Sequence, residues 1–184
     1  MAIGMVEVEG VAGIIAAADA ACKSAEVDLL GWDSIGGFTT VFFSGSISAV
    51  AAALRSGEEA ARQVSKKVSA AALNQPEPAC FNYVTVPVNK EIQAKPGALG
   101  LLETQGYGLQ VLADDRMVKA AQVEVANVLT VHNRVVCSLI LGEVGAVKEA
   151  LAVGRELASS SAKFLTSAFI AQPMPQVLQA FGRR

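Results

Sequence analysis

The chain has 184 residues, of which 15 are Lys or Arg and 17 are Asp or Glu, so its formal net charge is −2. This balance argues against a nucleic-acid binder, which carries a basic stripe. The content of 52% hydrophobic and 17% charged residues excludes an intrinsically disordered chain. The most apolar stretch, residues 11–18, ends at Asp19, far short of the ~18 residues of a membrane-spanning helix.

The cysteines indicate the redox setting of the protein. Cys22, Cys80 and Cys137 form no C-x-x-C motif and cannot all pair with one another, so we expect a reduced, cytosolic protein. The N-terminus lacks a basic start followed by an apolar segment, so no secretion signal is expected. The high apolar fraction indicates that other subunits cover part of the surface.

The first part of the chain predicts a strand–helix–strand–strand–helix–strand order. Alternating apolar side chains indicate strands, apolar steps of three and four residues indicate helices, and Ser46 is a typical helix cap. In chain order we predict a strand over 2–8, a helix over 11–25, strands over 27–32 and 38–43, a helix beginning at Ser46 and a strand over 68–73.

The chain contains an internal repeat with an offset of 96 residues. Residues 2–7 match residues 98–103; after one additional residue in the second copy, residues 45–50 match residues 142–147. Further matched pairs are Gly10 and Gly106, Lys23 and Lys119, Gly57 and Gly154, and Pro76 and Pro173. Ordered matches along both halves predict two tandem domains of one fold.

The repeat also predicts the domain boundaries. We assign the first domain to residues 1–78 and the second to residues 98–184. Residues 79–97 connect them, and their apolar patch, residues 81–86, favours an ordered crossover over a flexible linker. The C-terminal residues 181–184 are interpreted as a frayed basic tail, with a docking segment as the alternative.

The repeated pattern resembles the shell proteins of bacterial microcompartments. The resemblance rests on residues 2–10, 18–27, 34–37 and 45–50 of the first copy and on residues 98–106 and 142–147 of the second. It implies an α+β fold of two tandem ferredoxin-like BMC domains, each a four-stranded antiparallel sheet with flanking helices. In this family, tandem proteins form homotrimers that imitate the six-domain tile of the single-domain hexamers.

The resemblance implies that the turn between the second and third strands of each domain lines a central pore. The turn of the first copy comprises Ser34, Ile35, Gly36 and Gly37. The matching stretch of the second copy comprises Val131, His132, Asn133 and Arg134. Arg134 keeps its charge and His132 titrates near neutrality, so the pore would favour anionic metabolites. Alternatively, Arg134 points outward into bulk water.

The resemblance also implies that Lys23 and Lys119 lie at the tile edge, where the family packs a lysine against its mate from the next tile. A long aliphatic stem suits a flat contact of this kind. Alternatively, both are solvated lysines at helix C-termini, where the helix dipole favours them. The edge arginine that is usual within the family's Pro-x-Pro is replaced by Glu77 and Met174.

No cofactor is expected from the resemblance. Some tandem members hold an iron–sulfur cluster through a cysteine in the first pore turn, but this chain has Gly36 there. Cys22 and Cys137 are interpreted as small core residues, which leaves Cys80 as the accessible thiol. A ring of three His132 side chains is an alternative metal site.

The residues predict no enzyme. The chain lacks a phosphate-cradling glycine loop, and the adjacent Asp114 and Asp115 would not face each other on a helix. The resemblance implies a place in the microcompartment shell of the bacterial cytoplasm, with other shell proteins, enclosed enzymes and small metabolites as partners, and neither nucleic acid nor membrane. The alternative is a regulatory protein with tandem ferredoxin-like domains that binds a small molecule.

Overall fold

A computed structural model describes residues 1–76, 97–131 and 134–182 of the chain. Within these ranges one strand–helix–strand–strand–helix–strand unit occurs twice. The first unit comprises β1 (Ala2–Glu9), α1 (Ala12–Ser24), β2 (Asp28–Ile35), β3 (Phe38–Gly45), α2 (Ile47–Val64) and β4 (Val68–Leu73). The second comprises β5 (Ala98–Gln105), α3 (Tyr107–Ala120), β6 (Val123–Val131), β7 (Val135–Gly142), α4 (Val144–Ser159) and β8 (Phe164–Ala171), and is followed by α5 (Pro175–Phe181).

Each unit is a four-stranded antiparallel sheet flanked by helices. The strand order is β2-β3-β1-β4 in the first sheet and β6-β7-β5-β8 in the second, in the βαββαβ arrangement of a ferredoxin-like fold. The registers repeat too, because Glu7 pairs with Thr40 in the first sheet and Glu103 with Cys137 in the second. The predicted α+β fold with two tandem domains is therefore confirmed.

Local sequence signals account for several of the elements. Ser46 caps α2 as predicted, since its Oγ accepts a hydrogen bond from the backbone N–H of Ala49 at 3.1 Å. The strand predicted over residues 68–73 coincides with β4. The strand predicted over residues 27–32 is longer, because β2 continues to Ile35 and leaves only two residues for the following turn.

One face of each sheet packs on the helices of its own unit. In the second unit this core contains Leu102, Met117 and Ile140. The matched glycines lie where the two helices of a unit meet: a Cβ on Gly154 would lie 2.7 Å from Met117 Sδ, and a Cβ on Gly57 would lie 3.1 Å from a backbone oxygen of α1. Both repeats therefore need glycine for close helix packing.

The other face of the second sheet packs against the first domain. Leu101, Leu139 and Ile170 belong to the same buried cluster as Ile14 and Ile15 of α1. Helix α1 consequently lies between its own sheet and the sheet of the second domain, which explains why it is apolar around most of its circumference. None of the described helices is long and apolar enough to cross a membrane.

The C-terminal segment corrects one sequence prediction. Instead of a frayed tail beginning at residue 181, helix α5 buries Phe181 and stacks its ring on Trp32 of the first domain, with 5.5 Å between the ring centroids. Trp32 Nε1 also donates a hydrogen bond to the backbone oxygen of Ala180 at 3.0 Å. The apolar residues of α5 favour this burial over exposure to water. Arg183 and Arg184 lie outside the described residues.

The crossover predicted over residues 79–97 lies outside the described residues apart from Gly97. The same holds for Glu77 within the first Pro-x-Pro and for Cys80. The boundaries at residues 78 and 98 therefore stay predictions. The described strands end at Leu73 in the first domain and begin at Ala98 in the second.

Candidate functional site

The hairpin turn of the first domain consists of Gly36 and Gly37. Both have positive φ angles, +59° and +90°, as a two-residue type I′ turn requires. Ser34 and Ile35, predicted as part of the turn, are instead the last residues of β2, and the Ile35 side chain is exposed. The backbone oxygen of Gly37 accepts a hydrogen bond from the N–H of Gly10 at 3.0 Å.

The hairpin turn of the second domain differs in length and charge. Val131 ends β6 and is buried, whereas Arg134 is exposed and has a φ of +69°. The backbone oxygen of Arg134 accepts a hydrogen bond from the N–H of Gly106 at 2.6 Å, which makes Arg134 the counterpart of Gly37. A permanent positive charge thus replaces a glycine at this end of the second domain. His132 and Asn133 lie outside the described residues.

The two predicted edge lysines have different surroundings. Lys23 forms an ion pair with Asp19 at 2.7 Å and donates a hydrogen bond to the backbone oxygen of Ala171 in the second domain at 2.8 Å. Lys119 forms the matching ion pair with Asp115 at 2.7 Å but is more exposed. The ammonium group of Lys23 is therefore part of the contact between the domains, while that of Lys119 extends into solvent.

Glu103 is a buried charged residue at the contact between the domains. Its side chain is only 4% exposed, and its Oε2 accepts hydrogen bonds from the N–H groups of Val11 at 2.7 Å and Ala12 at 2.9 Å. These are N–H groups at the start of α1 that have no partner within the helix, and a carboxylate there also complements the helix dipole. Burial raises the pKa of Glu103, and the two backbone hydrogen bonds partly oppose that rise.

Sequence reasoning identified the glutamate as part of the repeated motif but missed its role. The only available signal was the recurrence of Glu7 and Glu103 at the same place in both copies. That recurrence marks the position without indicating what the carboxylate binds, because its partners are about 90 residues away in the chain.

The second domain also contains a buried polar cluster that the sequence did not reveal. Gln110 of α3 donates hydrogen bonds to Ser138 Oγ at 2.8 Å and to Asp114 Oδ1 at 3.2 Å, and accepts one from Thr104 Oγ1 at 2.8 Å. Burial raises the pKa of Asp114, and its hydrogen bonds with Ser138 and Gln110 oppose that rise. Each buried member has a partner, so the cluster is a structural network.

The described cysteines behave as core residues, as predicted. Cys22 and Cys137 are both buried as free thiols. Burial, reinforced by nearby carboxylates, raises the pKa of Cys22 to about 11 and that of Cys137 well above its usual value. Both thiols are therefore unreactive at neutral pH. Among the described residues, no three His, Cys, Asp or Glu side chains are grouped to hold a metal ion.

Matching surfaces of the two domains are covered unequally. Val11, which precedes α1, and Ile15 on α1 are both 0% exposed and belong to the cluster shared with the second sheet. Their counterparts on α3, Tyr107 and Val111, are 62% and 60% exposed. The second domain therefore presents on α3 an apolar face whose equivalent in the first domain is an interface.

In the sheets the difference in exposure is reversed, since the second domain is the more buried one. Ile170 on β8 of the second sheet is 7% exposed beside α1, whereas its counterpart on β4, Leu73, is 40% exposed. Phe38 of the first sheet is likewise exposed where its counterpart Val135 is buried. The chain thus has one open helix face on the second domain, and a sheet face on the first domain that is exposed at Leu73 and Phe38 but buried at Ile3.

Both halves of the chain match one known family. Residues 2–76 and 98–173 each match the family described as the BMC domain. The chain is 30% identical over 168 residues to the carboxysome assembly protein CcmO of Synechocystis, with 84% of this chain and 56% of the relative covered. It therefore spans just over half the length of that relative.

Shorter alignments relate the chain to two shell proteins. It is 50% identical over 64 residues to the bacterial microcompartment shell protein PduA of Citrobacter freundii, with 34% of this chain and 69% of the relative covered. It is 43% identical over 72 residues to the carboxysome shell protein CsoS1 of Prochlorococcus marinus, with 39% and 70% covered. Each alignment is shorter than half of this chain.

Proposed function

Because the chain belongs to the BMC-domain family and is similar to CcmO, PduA and CsoS1, we propose that it is a structural shell protein of a bacterial microcompartment. In the proposed assembly, three copies close into a ring of six domains around a pore, and these rings tile with other shell proteins. The unequal covering of the two domains is the observation that supports this assembly.

The contact between the domains is head-to-tail. The sheet of the second domain binds helix α1 of the first, while the corresponding face of helix α3 is open and that of the first sheet is exposed at Leu73 and Phe38. Repeating such a contact between copies generates a ring if the rotation closes and a filament if it does not. Family resemblance favours closure with three copies, because two domains per chain then supply the six positions of a tile.

The proposed pore is lined by the hairpin turns of both domains. Three turns of Gly36 and Gly37 would alternate with three turns that carry Arg134, together with His132 and Asn133, while Ser34 and Ile35 would lie at the mouth. Exposed guanidinium groups on a three-fold axis would attract anions. Arg134 is exposed and at the outer end of its hairpin, which supports passage of anionic metabolites.

Contacts between tiles are proposed at Lys23 and Lys119. Lys119 is exposed and its ion pair with Asp115 joins residues on a single helix, so its aliphatic stem is available to a neighbouring tile. Lys23 is additionally bonded to Ala171 and would contribute its stem while its ammonium group stays within the chain. The two lysines would therefore support edges of unequal strength.

Other shell proteins are the partners that this tiling requires, and enzymes enclosed by the shell are further partners. The protein would act in the bacterial cytoplasm without catalysing a reaction or holding a cofactor. Domains of residues 1–78 and 98–184, joined by the crossover, remain the proposed organisation.

The mass of the purified protein in solution tests this proposal. Light scattering after size exclusion should give three times the chain mass of 19.0 kDa, and electron microscopy of concentrated samples should show sheets or tubes. A monomer or dimer that never forms sheets would contradict the shell function. A discrete oligomer that changes only when a small molecule is added would favour the regulatory alternative.

A further inference from the structure

We infer that Glu7 of one copy accepts hydrogen bonds from the backbone N–H groups of Tyr107 and Gly108 in a neighbouring copy, and that this contact orients the copies in the ring. The inference rests on the proposed assembly, because it requires a second copy of the chain as the partner. It adds to the proposed assembly one specific polar contact between the two surfaces that would meet.

The contact between Glu103 and α1 provides the template. Glu103 Oε2 bridges the N–H groups of Val11 and Ala12, and its other oxygen lies against Gly10 so closely that a Cβ there would be 2.4 Å from it. Gly10 also has a φ of +95°. A glycine at the start of the helix therefore makes room for the carboxylate of the other domain.

The start of α3 has the same backbone arrangement as the start of α1, but no carboxylate lies against it among the described residues. Gly106 corresponds to Gly10 and has a φ of +81°, yet a Cβ on Gly106 would meet nothing within 4 Å. The N–H groups in the first turn of any helix have no partners within that helix. No side chain among the described residues caps α3 to supply a partner for them. The space that Glu103 fills beside Gly10 is thus open beside Gly106.

Glu7 is the matching carboxylate on the first domain. It has the same position on β1 that Glu103 has on β5, but it is only half-buried. Its Oε2 accepts a hydrogen bond from Thr40 Oγ1 at 3.0 Å, which holds the side chain in place and leaves Oε1 for the incoming N–H groups. In Glu103 a single oxygen likewise accepts both N–H groups.

The groove beside each glutamate supports the same pairing. The groove beside Glu103 has walls from both domains, including Gly37 and Ser65 of the first. The groove beside Glu7, of about 250 Å³, has walls from the first domain alone, including Phe38 and Ser69. A second domain from another copy would supply the missing wall through the exposed face of α3.

The test compares Glu7→Ala with Glu59→Ala, which removes the same charge from an exposed position of α2. Sedimentation over a range of protein concentrations gives the midpoint of trimer dissociation for each variant. We expect Glu7→Ala to raise that midpoint at least about tenfold, because two charge-assisted hydrogen bonds are lost at every contact. Glu59→Ala should match the wild type. Circular dichroism verifies that each variant is folded.

The opposite side of the contact is tested at Gly108. Gly108→Pro removes one of the donor N–H groups at the second position of α3, where that N–H has no partner within the helix. Gly108→Ala retains that N–H, and the corresponding residue in the first copy is already Ala12. We expect Gly108→Pro to weaken the trimer and Gly108→Ala to leave it unchanged. The double variant Glu7→Ala with Gly108→Pro should weaken the trimer by less than the sum of the two single effects.

The outcomes separate this contact from the proposed assembly. A wild-type trimer that is weakened by both Glu7→Ala and Gly108→Pro with non-additive effects supports the contact. A wild-type trimer that Glu7→Ala leaves unchanged overturns the contact while the ring stands. A wild-type protein that stays monomeric at all concentrations overturns the ring and the contact together.

Discussion

Glu7 and Glu103 are the same residue of the repeat in two environments. Glu103 is covered by α1 and bonded to two backbone N–H groups, whereas Glu7 is half-buried beside Thr40. Burial raises the pKa of Glu103 despite the hydrogen bonds that lower it. A carboxyl with a raised folded pKa binds protons more readily in the folded chain than in the unfolded chain.

The Glu103 carboxyl therefore makes stability depend on pH. Its contribution is most favourable below the unfolded pKa, near 4.5, and is lost as pH rises through the higher folded pKa. Glu103→Gln cannot ionise, so we expect its free energy of unfolding to rise relative to that of the wild type over this interval. Urea unfolding between about pH 4 and pH 8 measures the difference. The control, Glu9→Gln, alters an exposed side chain and should leave the pH dependence of the unfolding free energy nearly unchanged. If the difference between Glu103→Gln and the wild type is constant with pH, the raised pKa of Glu103 is contradicted.

Arg134 tests the proposed pore charge. The hairpin, and not the size or charge of the side chain, holds the backbone of Arg134 in its left-handed conformation (φ +69°). Arg134→Ala therefore removes the guanidinium group and leaves the turn type in place. We expect slower uptake of an anionic dye by shells assembled from Arg134→Ala, because the attraction at the pore is lost. Arg55→Ala, which removes an exposed charge from α2, should leave uptake unchanged. Equal uptake by both variants would show that Arg134 faces bulk water.

At the scale of elements, α5 joins the two domains. It places Phe181 on Trp32 of β2, and Asn127 of β6 donates hydrogen bonds to the backbone oxygens of Phe181 and Gly182 at 2.9 and 3.1 Å. A seven-residue helix is too short to be stable by itself. The contacts with both sheets must therefore supply its stability.

Phe181→Ala should detach α5 from the first domain. We expect the free energy of unfolding to fall by about 3 kcal/mol, as is usual when a buried phenylalanine is truncated. Trp32 is the only tryptophan in the chain, so its fluorescence reports the contact directly and should shift to longer wavelength. Leu165→Ala, at an exposed position of β8, is the control. Unchanged emission in Phe181→Ala would mean that α5 does not cover Trp32 in solution.

At the scale of the whole molecule, the chain buries the outer face of α1 against the second sheet and leaves the matching face of α3 exposed. The open helix face carries Tyr107, Val111 and Leu112, all more than half exposed. Apolar patches of this kind on a folded chain are typical of sites that bind another protein. Covering them by association would add hydrophobic stabilisation that the isolated chain lacks.

Stability should therefore depend on protein concentration. If folding is coupled to assembly, the melting temperature rises with protein concentration by mass action. Calorimetry over a roughly hundredfold dilution series measures how steeply the melting temperature depends on concentration. Val111→Lys places a charge in the open helix face and should abolish the dependence. Gln63→Lys, exposed on α2, should retain it. A wild-type melting temperature that is independent of concentration would contradict the coupled assembly.

The resemblance to a known family implied the fold class, and the sequence by itself determined the repeat and the order of elements within each unit. These features depend on local patterns: two-residue alternation in β1, three- and four-residue steps in α1, and a serine before α2. Each pattern is contained within a few turns of chain, so one sequence is enough to reveal it. The burial of Cys22 and Cys137 followed from the same patterns.

Only the tertiary structure decided how the two domains use their equivalent surfaces. The bond from Glu103 to Val11 spans 92 residues, and that from Trp32 to Ala180 spans 148. No local period encodes such pairs, because they depend on the rotation between the domains and not on the conformation of either one. For the same reason the sequence showed Glu7 and Glu103 as equals, and only the structure distinguished Glu103, buried against the start of α1, from Glu7, half-buried beside Thr40.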